Sequence, residues 1–114
     1  MSRFAEISES GYYAVIFTNQ LRDAGSPDYS TVATRMAELA KGHSGYLGME
    51  TTRDASGFGI TISYWQNLEA IEAWRNNAEH LVAQERGKRE WYERFALKIA
   101  RVERASFGPD DARP

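Results

Sequence analysis

The sequence offers few side chains able to do acid–base or ligand chemistry. It holds two histidines and no cysteine, which excludes disulfides, thiolate metal sites, iron–sulfur clusters and a cysteine nucleophile. His80, Gln84 and Trp91 recur at spacings of four and seven. On one continuous helix they would share a face, with Gln84 within hydrogen-bond reach of His80 across one turn. That stripe is polar where a core helix is apolar, so it either faces solvent or lines a cavity, and the indole of Trp91 favours the cavity. An imidazole at His80 has the pKa range of a general base, and Gln84 or Asn77 would hold a developing oxyanion. His43 reads as a surface residue, and two histidines without a carboxylate at ligand spacing make a poor metal site. No metal is expected.

Three Trp, six Tyr and five Phe supply the other half of a site. Tyr13, Phe17, Tyr64, Trp65 and Trp74 would stack on a flat ring, with core or dimer packing as the alternative account of the same residues. Dioxygen reacts slowly with closed-shell organic molecules unless the substrate supplies an electron-rich anion. A base in an apolar shell would therefore suffice to oxygenate a phenol or quinol. Arg86, Lys88 and Arg89 with Glu85 and Glu90 read as a solvated helix face, or as a contact for an anionic substrate tail. Gly57 and Gly59 flank Phe58, where turn chemistry explains them. No phosphate loop or dinucleotide fingerprint occurs, which argues against a nucleotide cofactor.

The elements that must position these residues follow from periodicity. Tyr12 to Asn19 is dense in aromatic and β-branched residues over strand length. Val32, Ala33, Met36, Leu39 and Ala40 fall at helical spacing, predicting a helix from about Asp28 to Lys41 with Ser26 as N-cap, Pro27 at N1 and Gly42 at its end. Two β-rich stretches around the turn Asp54 to Gly57 predict a hairpin. From Asn67, a good N-cap, Leu68, Ala70, Ile71 and Trp74 make one apolar helical face. Asn76-Asn77 marks a break, and a more polar helix runs from Ala78 to about Tyr92, weakened at Gly87. Phe95, Leu97 and Ile99 alternate along a last strand from Phe95 to Phe107. The order β-α-β-β-α-β is the split arrangement of a ferredoxin-like α+β subunit with one antiparallel sheet. Residues 1–11 and 108–114 read as tails flanking a domain over 12–107.

Tyr13, Val15 and Phe17 point to one face of such a sheet, and Tyr12, Ala14, Ile16 and Thr18 to the other. Helices cover only one of these faces, so a second subunit is expected to cover the other. The length of 114 residues fits one domain, since domains run to about 100–150 residues. A formal net charge of -2 argues against nucleic acid as a partner. No apolar run approaches the roughly 20 residues of a membrane span, and Met1 to Ser10 lacks a signal pattern. The expected location is cytoplasmic.

The stretch from Ser63 to Tyr92, with Gly45-Tyr46-Leu47-Gly48, resembles the antibiotic biosynthesis monooxygenase family of dimeric α+β barrel proteins, over about Tyr12 to Arg104. The resemblance implies a homodimer with a pocket in each subunit between sheet and helices. Some members of that family oxygenate aromatic polyketides or quinols without flavin or metal, and others degrade heme. In the heme-degrading members a helix Trp at the Trp74 position lies beside the substrate, with an Asn on the first strand and a His further along. Trp74 matches. Ile16 or Phe17 falls where the Asn is expected, Asn19 sits nearer the strand end, and the His position falls near Gln84, one turn beyond His80. The expected function is cofactor-independent monooxygenation of a small aromatic or quinol-like substrate, with His80, Gln84 and Trp74 catalytic and Tyr13, Phe17, Tyr64, Trp65, Asn77 and Trp91 binding substrate. The alternatives are a heme-binding or heme-degrading protein with His80 on iron, and a non-enzymatic ligand-binding stress-response dimer.

Overall fold

A computed structural model describes residues 3–109. The chain runs β1 (Tyr12–Leu21), α1 (Pro27–Lys41), β2 (Tyr46–Arg53), β3 (Phe58–Trp65), α2 (Leu68–Arg75), α3 (Ala78–Arg86), a single wide π-helical turn (Gly87–Trp91) and β4 (Tyr92–Val102). The strands form one antiparallel sheet in the order β2-β3-β1-β4. This is the ferredoxin-like α+β arrangement that the sequence pattern predicts.

The helix boundaries are set by the side chains named above. The Ser26 hydroxyl accepts from the Tyr29 amide, with Pro27 in the first turn of α1 and Gly42 at its end. The Asn67 side chain accepts from the Ala70 amide at 2.8 Å to start α2, and Asn77 accepts from the amides of Glu79 and His80 to start α3. Each cap satisfies donors that a first helical turn leaves open.

Four boundaries differ from expectation, the first being β1, which runs on to Leu21 rather than ending at Asn19. α3 stops at Arg86 rather than near Tyr92, because the chain widens at Gly87, where the ring of Tyr92 occupies the space a Cβ would take. β4 consequently starts at Tyr92 and ends at Val102, not Phe95 to Phe107. Leu68 is 49% exposed. The apolar face of α2 thus rests on Ile71 and Trp74, with Ala70 packed beside them.

Strand register sorts the side chains. Tyr13 pairs with Trp65 and Asn19 with Gly59, so alternation places Tyr13, Val15, Phe17, Asn19, Thr61, Ser63 and Trp65 on one face. Trp65, Ile71, Trp74 and Ala40 form the core on that face, with Tyr13, Val15, Met36, Leu39 and Tyr46 packed around them. The opposite face carries Tyr12, Ala14, Ile16, Ile60, Ile62 and Tyr64. The N-terminal segment, expected as a frayed tail, is partly laid across it. Ile7 is 6% exposed, the Ala5 amide donates to Glu50 Oε2 at 3.1 Å, and Gly48 leaves the room that Ala5 fills. Residues 110–114 of the expected C-terminal tail lie outside the described residues. No helix among the described residues is long and apolar enough to cross a membrane.

Candidate functional site

The residues singled out in the sequence separate into two groups along the helix-covered face. One group is a stacked column. The His80 ring lies on Trp74 at 4.0 Å and 16°, Trp74 on Trp65 at 6.0 Å and 24°, and His43 meets both indoles edge-on. Tyr46 closes edge-on against Trp65, whose indole N–H donates to Ser63 Oγ at 2.9 Å. His43 is thus half-buried against the core, not the surface residue expected.

His80 Nδ1 lies 3.0 Å from the Trp74 carbonyl. A carbonyl only accepts, so Nδ1 carries the proton and Nε2 keeps the lone pair. Gln84 donates to the Arg75 carbonyl at 3.1 Å. Its 3.4 Å approach to Nδ1 therefore sets two N–H donors side by side and is not the hydrogen bond that their spacing suggested. Burial holds the His80 pKa below its ordinary 6.5, against the opposing pull of the Trp74 carbonyl; Arg75 and His43 add to the lowering. His80 is accordingly neutral at neutral pH.

The second group lies at the other end of β1. Phe17 meets Tyr92 at 5.2 Å and Phe95 at 5.8 Å, and Tyr29 from α1 sits edge-on to both Tyr92 and Trp91. Trp91 does not share a face with His80 and Gln84, because the wide turn ends the helical register. It packs instead on Tyr29 and under the Arg86 guanidinium. From this cluster an apolar shelf continues along β4, where Phe95, Leu97 and Ile99 pair with Asn19, Phe17 and Val15. These three are on the helix side of the sheet but are 42%, 47% and 43% exposed. They are therefore only partly covered.

Within this apolar surround stands one uncommitted polar group. Asn19 is 2% exposed, and neither its side-chain oxygen nor its nitrogen has a hydrogen-bond partner. A buried amide without partners is costly to fold around. Across the sheet from it, Arg53 donates to the Gly57 carbonyl at 2.6 Å and to the Tyr29 hydroxyl at 2.8 Å. The Tyr92 phenol is pushed well above its ordinary range by burial first and by Tyr29 next, with Arg53 opposing. It stays protonated and acts as a donor, not a base.

Of the expected substrate contacts, Phe17 and Trp91 join this shelf, whereas Tyr13, Trp65, Trp74, His80 and Gln84 belong to or adjoin the column. Tyr64 joins neither, since it lies on the opposite face, donating to Glu50 Oε1 at 2.6 Å. Asn77 uses its side-chain oxygen to cap α3. Tyr29, Arg53 and Tyr92 were not anticipated, and Asn19, set aside for lying near the strand end, is buried on the helix side of the sheet. Its parity with Tyr13, Val15 and Phe17 was the available signal. Among the described residues no cluster of His, Asp and Glu is arranged to hold a metal ion.

Comparison with known proteins adds a lineage. The sequence profile described as antibiotic biosynthesis monooxygenase matches residues 12–86. An uncharacterised Bacillus subtilis protein, YqjZ, is 41% identical over 104 residues, covering 91% of this chain and 90% of that protein. Jasmonate monooxygenase ABM of Pyricularia oryzae is 25% identical over 92 residues, and the match covers 79% of this chain and 43% of the relative. Among solved structures, SnoaB, a cofactor-independent oxygenase from Streptomyces nogalater, superposes with a TM-score of 0.70 at 12% identity, covering 84% of this chain and 97% of that one.

Proposed function

Since the chain belongs to the antibiotic biosynthesis monooxygenase family, we propose that it is a cofactor-independent monooxygenase that acts on a small aromatic, quinol-like substrate bound on the helix side of β1 and β4. The observation that carries this reading is Asn19, a buried amide with no partner, set beside Phe17, Phe95 and Tyr92. An apolar site with one convergent polar group fits a flat ring bearing an oxygen. The names of SnoaB and of the jasmonate monooxygenase point to the same class of reaction.

The chemistry places modest demands on the protein. A phenol plus dioxygen gives a quinone plus water, one oxygen atom being retained and the other leaving as water, and the substrate supplies all four electrons. No external reductant is consumed. The protein must hold the ring, favour its anion and keep bulk water from the reacting carbon. Aromatic side chains of the shelf hold the ring, and the Asn19 N–H groups stabilise the anionic oxygen. His80, neutral and with Nε2 unprotonated, stands in the column at the other end of β1, so the ring would enter the shelf already ionised and not give its proton to His80. A second copy of the chain seated on Tyr12, Ile16 and Ile62 would cover the opposite face of the sheet and leave the helix-side shelf to this chain alone.

The test is oxygen uptake by metal- and flavin-free protein against a panel of electron-rich phenols and quinols, with labelled dioxygen to follow incorporation. One labelled oxygen in the product is expected, with a loss of about 100-fold in Asn19→Ala, the effect of removing one oxyanion donor. Uptake no faster than the uncatalysed rate across the panel would refute the assignment. A second reading, heme as substrate, is favoured by Asn19 lying on the helix side of the first strand and by the free Nε2 of His80. A Soret shift on hemin addition that is abolished in His80→Ala would support it.

A further inference from the structure

We infer that Arg53 is the anion-binding residue of this site, and that the shelf selects an aromatic ligand carrying a carboxylate or an ionised phenol. This rests on the reading of the β1–β4 shelf as the substrate site. Arg53 and Arg86 are the two half-buried arginines among the described residues, the rest being exposed. Arg86 is paired with Asp28 and Glu90. Arg53 has no carboxylate within ion-pair distance among the described residues, and the acceptors it does engage, the Gly57 carbonyl and the Tyr29 hydroxyl, are neutral. A cation withdrawn from water normally has an anionic partner. Among the described residues that partner is missing.

The backbone makes a specific place for this cation. Arg53, Gly59, Asn19 and Phe95 form one row across the sheet, on its helix side. A Cβ at Gly59 would lie 2.7 Å from the guanidinium carbon of Arg53, so the guanidinium sits over Gly59. Gly59 is the second residue of β3, paired on both sides and without a positive φ, and its lack of a side chain serves space, not the turn chemistry that its neighbourhood suggested. Because Gly59 is the direct partner of Asn19, and paired Cβ positions in antiparallel strands are about 5 Å apart, the guanidinium stands next to the unpartnered amide. Two hydrogen bonds engage NH1 and NH2 of a group that has five N–H donors. The remainder, with the Asn19 amide, form a cationic corner at the edge of an aromatic floor. Such a corner complements a planar anion.

The test uses a matched pair of non-reacting probes, 2-naphthoate and its uncharged amide, titrated calorimetrically into the full-length protein. The naphthoate is expected to bind roughly 10- to 100-fold tighter than the amide, the range of a charge-assisted contact, and to weaken with added salt. Arg53→Gln should remove that preference while leaving amide affinity within about twofold, and Gly59→Ala, which displaces the guanidinium, should act the same way. Arg53→Lys should restore part of the preference. The probe pair on unaltered protein keeps the inference open to refutation even if a variant folds poorly. Equal binding of both probes overturns the role of Arg53 alone and leaves the shelf standing. If neither probe binds, and the quinol panel gives no uptake, the shelf and the role of Arg53 fall together.

Discussion

Replacing Asn19 with leucine should make the protein more stable and less active. The amide is 2% exposed, and both polar atoms lack partners, whereas Phe17, Gly59 and Phe95 bring no acceptor or donor side chain to it. An unsatisfied buried polar group costs about 1–3 kcal/mol, and an apolar side chain of similar shape removes that cost. For a domain near this size one kcal/mol moves Tm by roughly 4 °C, so Asn19→Leu should raise Tm by roughly 4–12 °C. Urea unfolding at fixed protein concentration should show a higher midpoint with unchanged slope. Oxygen uptake should fall together with the gain in stability, the trade expected where a group is retained for chemistry. An unchanged or lowered midpoint would refute the reasoning, because it would mean that the Asn19 amide already makes favourable interactions in the native protein.

Other consequences can be checked separately. Because burial lowers the His80 pKa below 6.5, the unfolded chain binds more protons than the folded one between those values. Stability contributed by the neutral ring is therefore complete above pH 6.5 and declines as pH falls towards the folded pKa. His80→Gln should flatten that acid limb in urea titrations at about pH 7.5 and about pH 5.5, and an unaltered slope would count against the buried neutral imidazole. Gly45 has φ +86°, and a Cβ there would run into that of Ala70, so Gly45→Ala should cost about 2 kcal/mol or more. Gly42→Ala, at φ -86° where a Cβ would meet only the Leu39 carbonyl in ordinary contact at 3.8 Å, should be neutral or slightly stabilising in the same assay. Ile62→Lys should shift sedimentation towards the protomer, and a protomer already dominant before substitution would remove the twofold mate from the proposal.

Strand and helix order were legible because each element carries its own local signals. Ser26 and Asn67 start the helices that they were expected to start, Asn77, read only as part of a break, caps the next one, and the alternation of Tyr12 to Phe17 assigns both sheet faces. The wide turn escaped notice, since a helical pattern does not reveal where a turn gains one residue, and with it went the expected alignment of Trp91 with His80. The candidate site was less legible for a related reason. Asn19 is one polar letter at the end of an apolar strand, and only three-dimensional packing shows that no neighbour answers it. Arg53 could not be read at all, because its setting depends on strand register with Gly59 and on Tyr29 arriving from α1.

The junction between α3 and β4 is drawn tight. The turn Gly87–Trp91 passes directly into Tyr92 without a loop, and the Tyr92 ring is wedged against Gly87. Slack that most helix-to-strand connections would take up is missing here, so lifting α3 levers Tyr92 and, through it, the first rungs of the β1–β4 ladder. The register slip between Gln20 and Leu21 lies at that rung. Any displacement of α3 would therefore be felt at the margin of the sheet, where the ladder is already out of step.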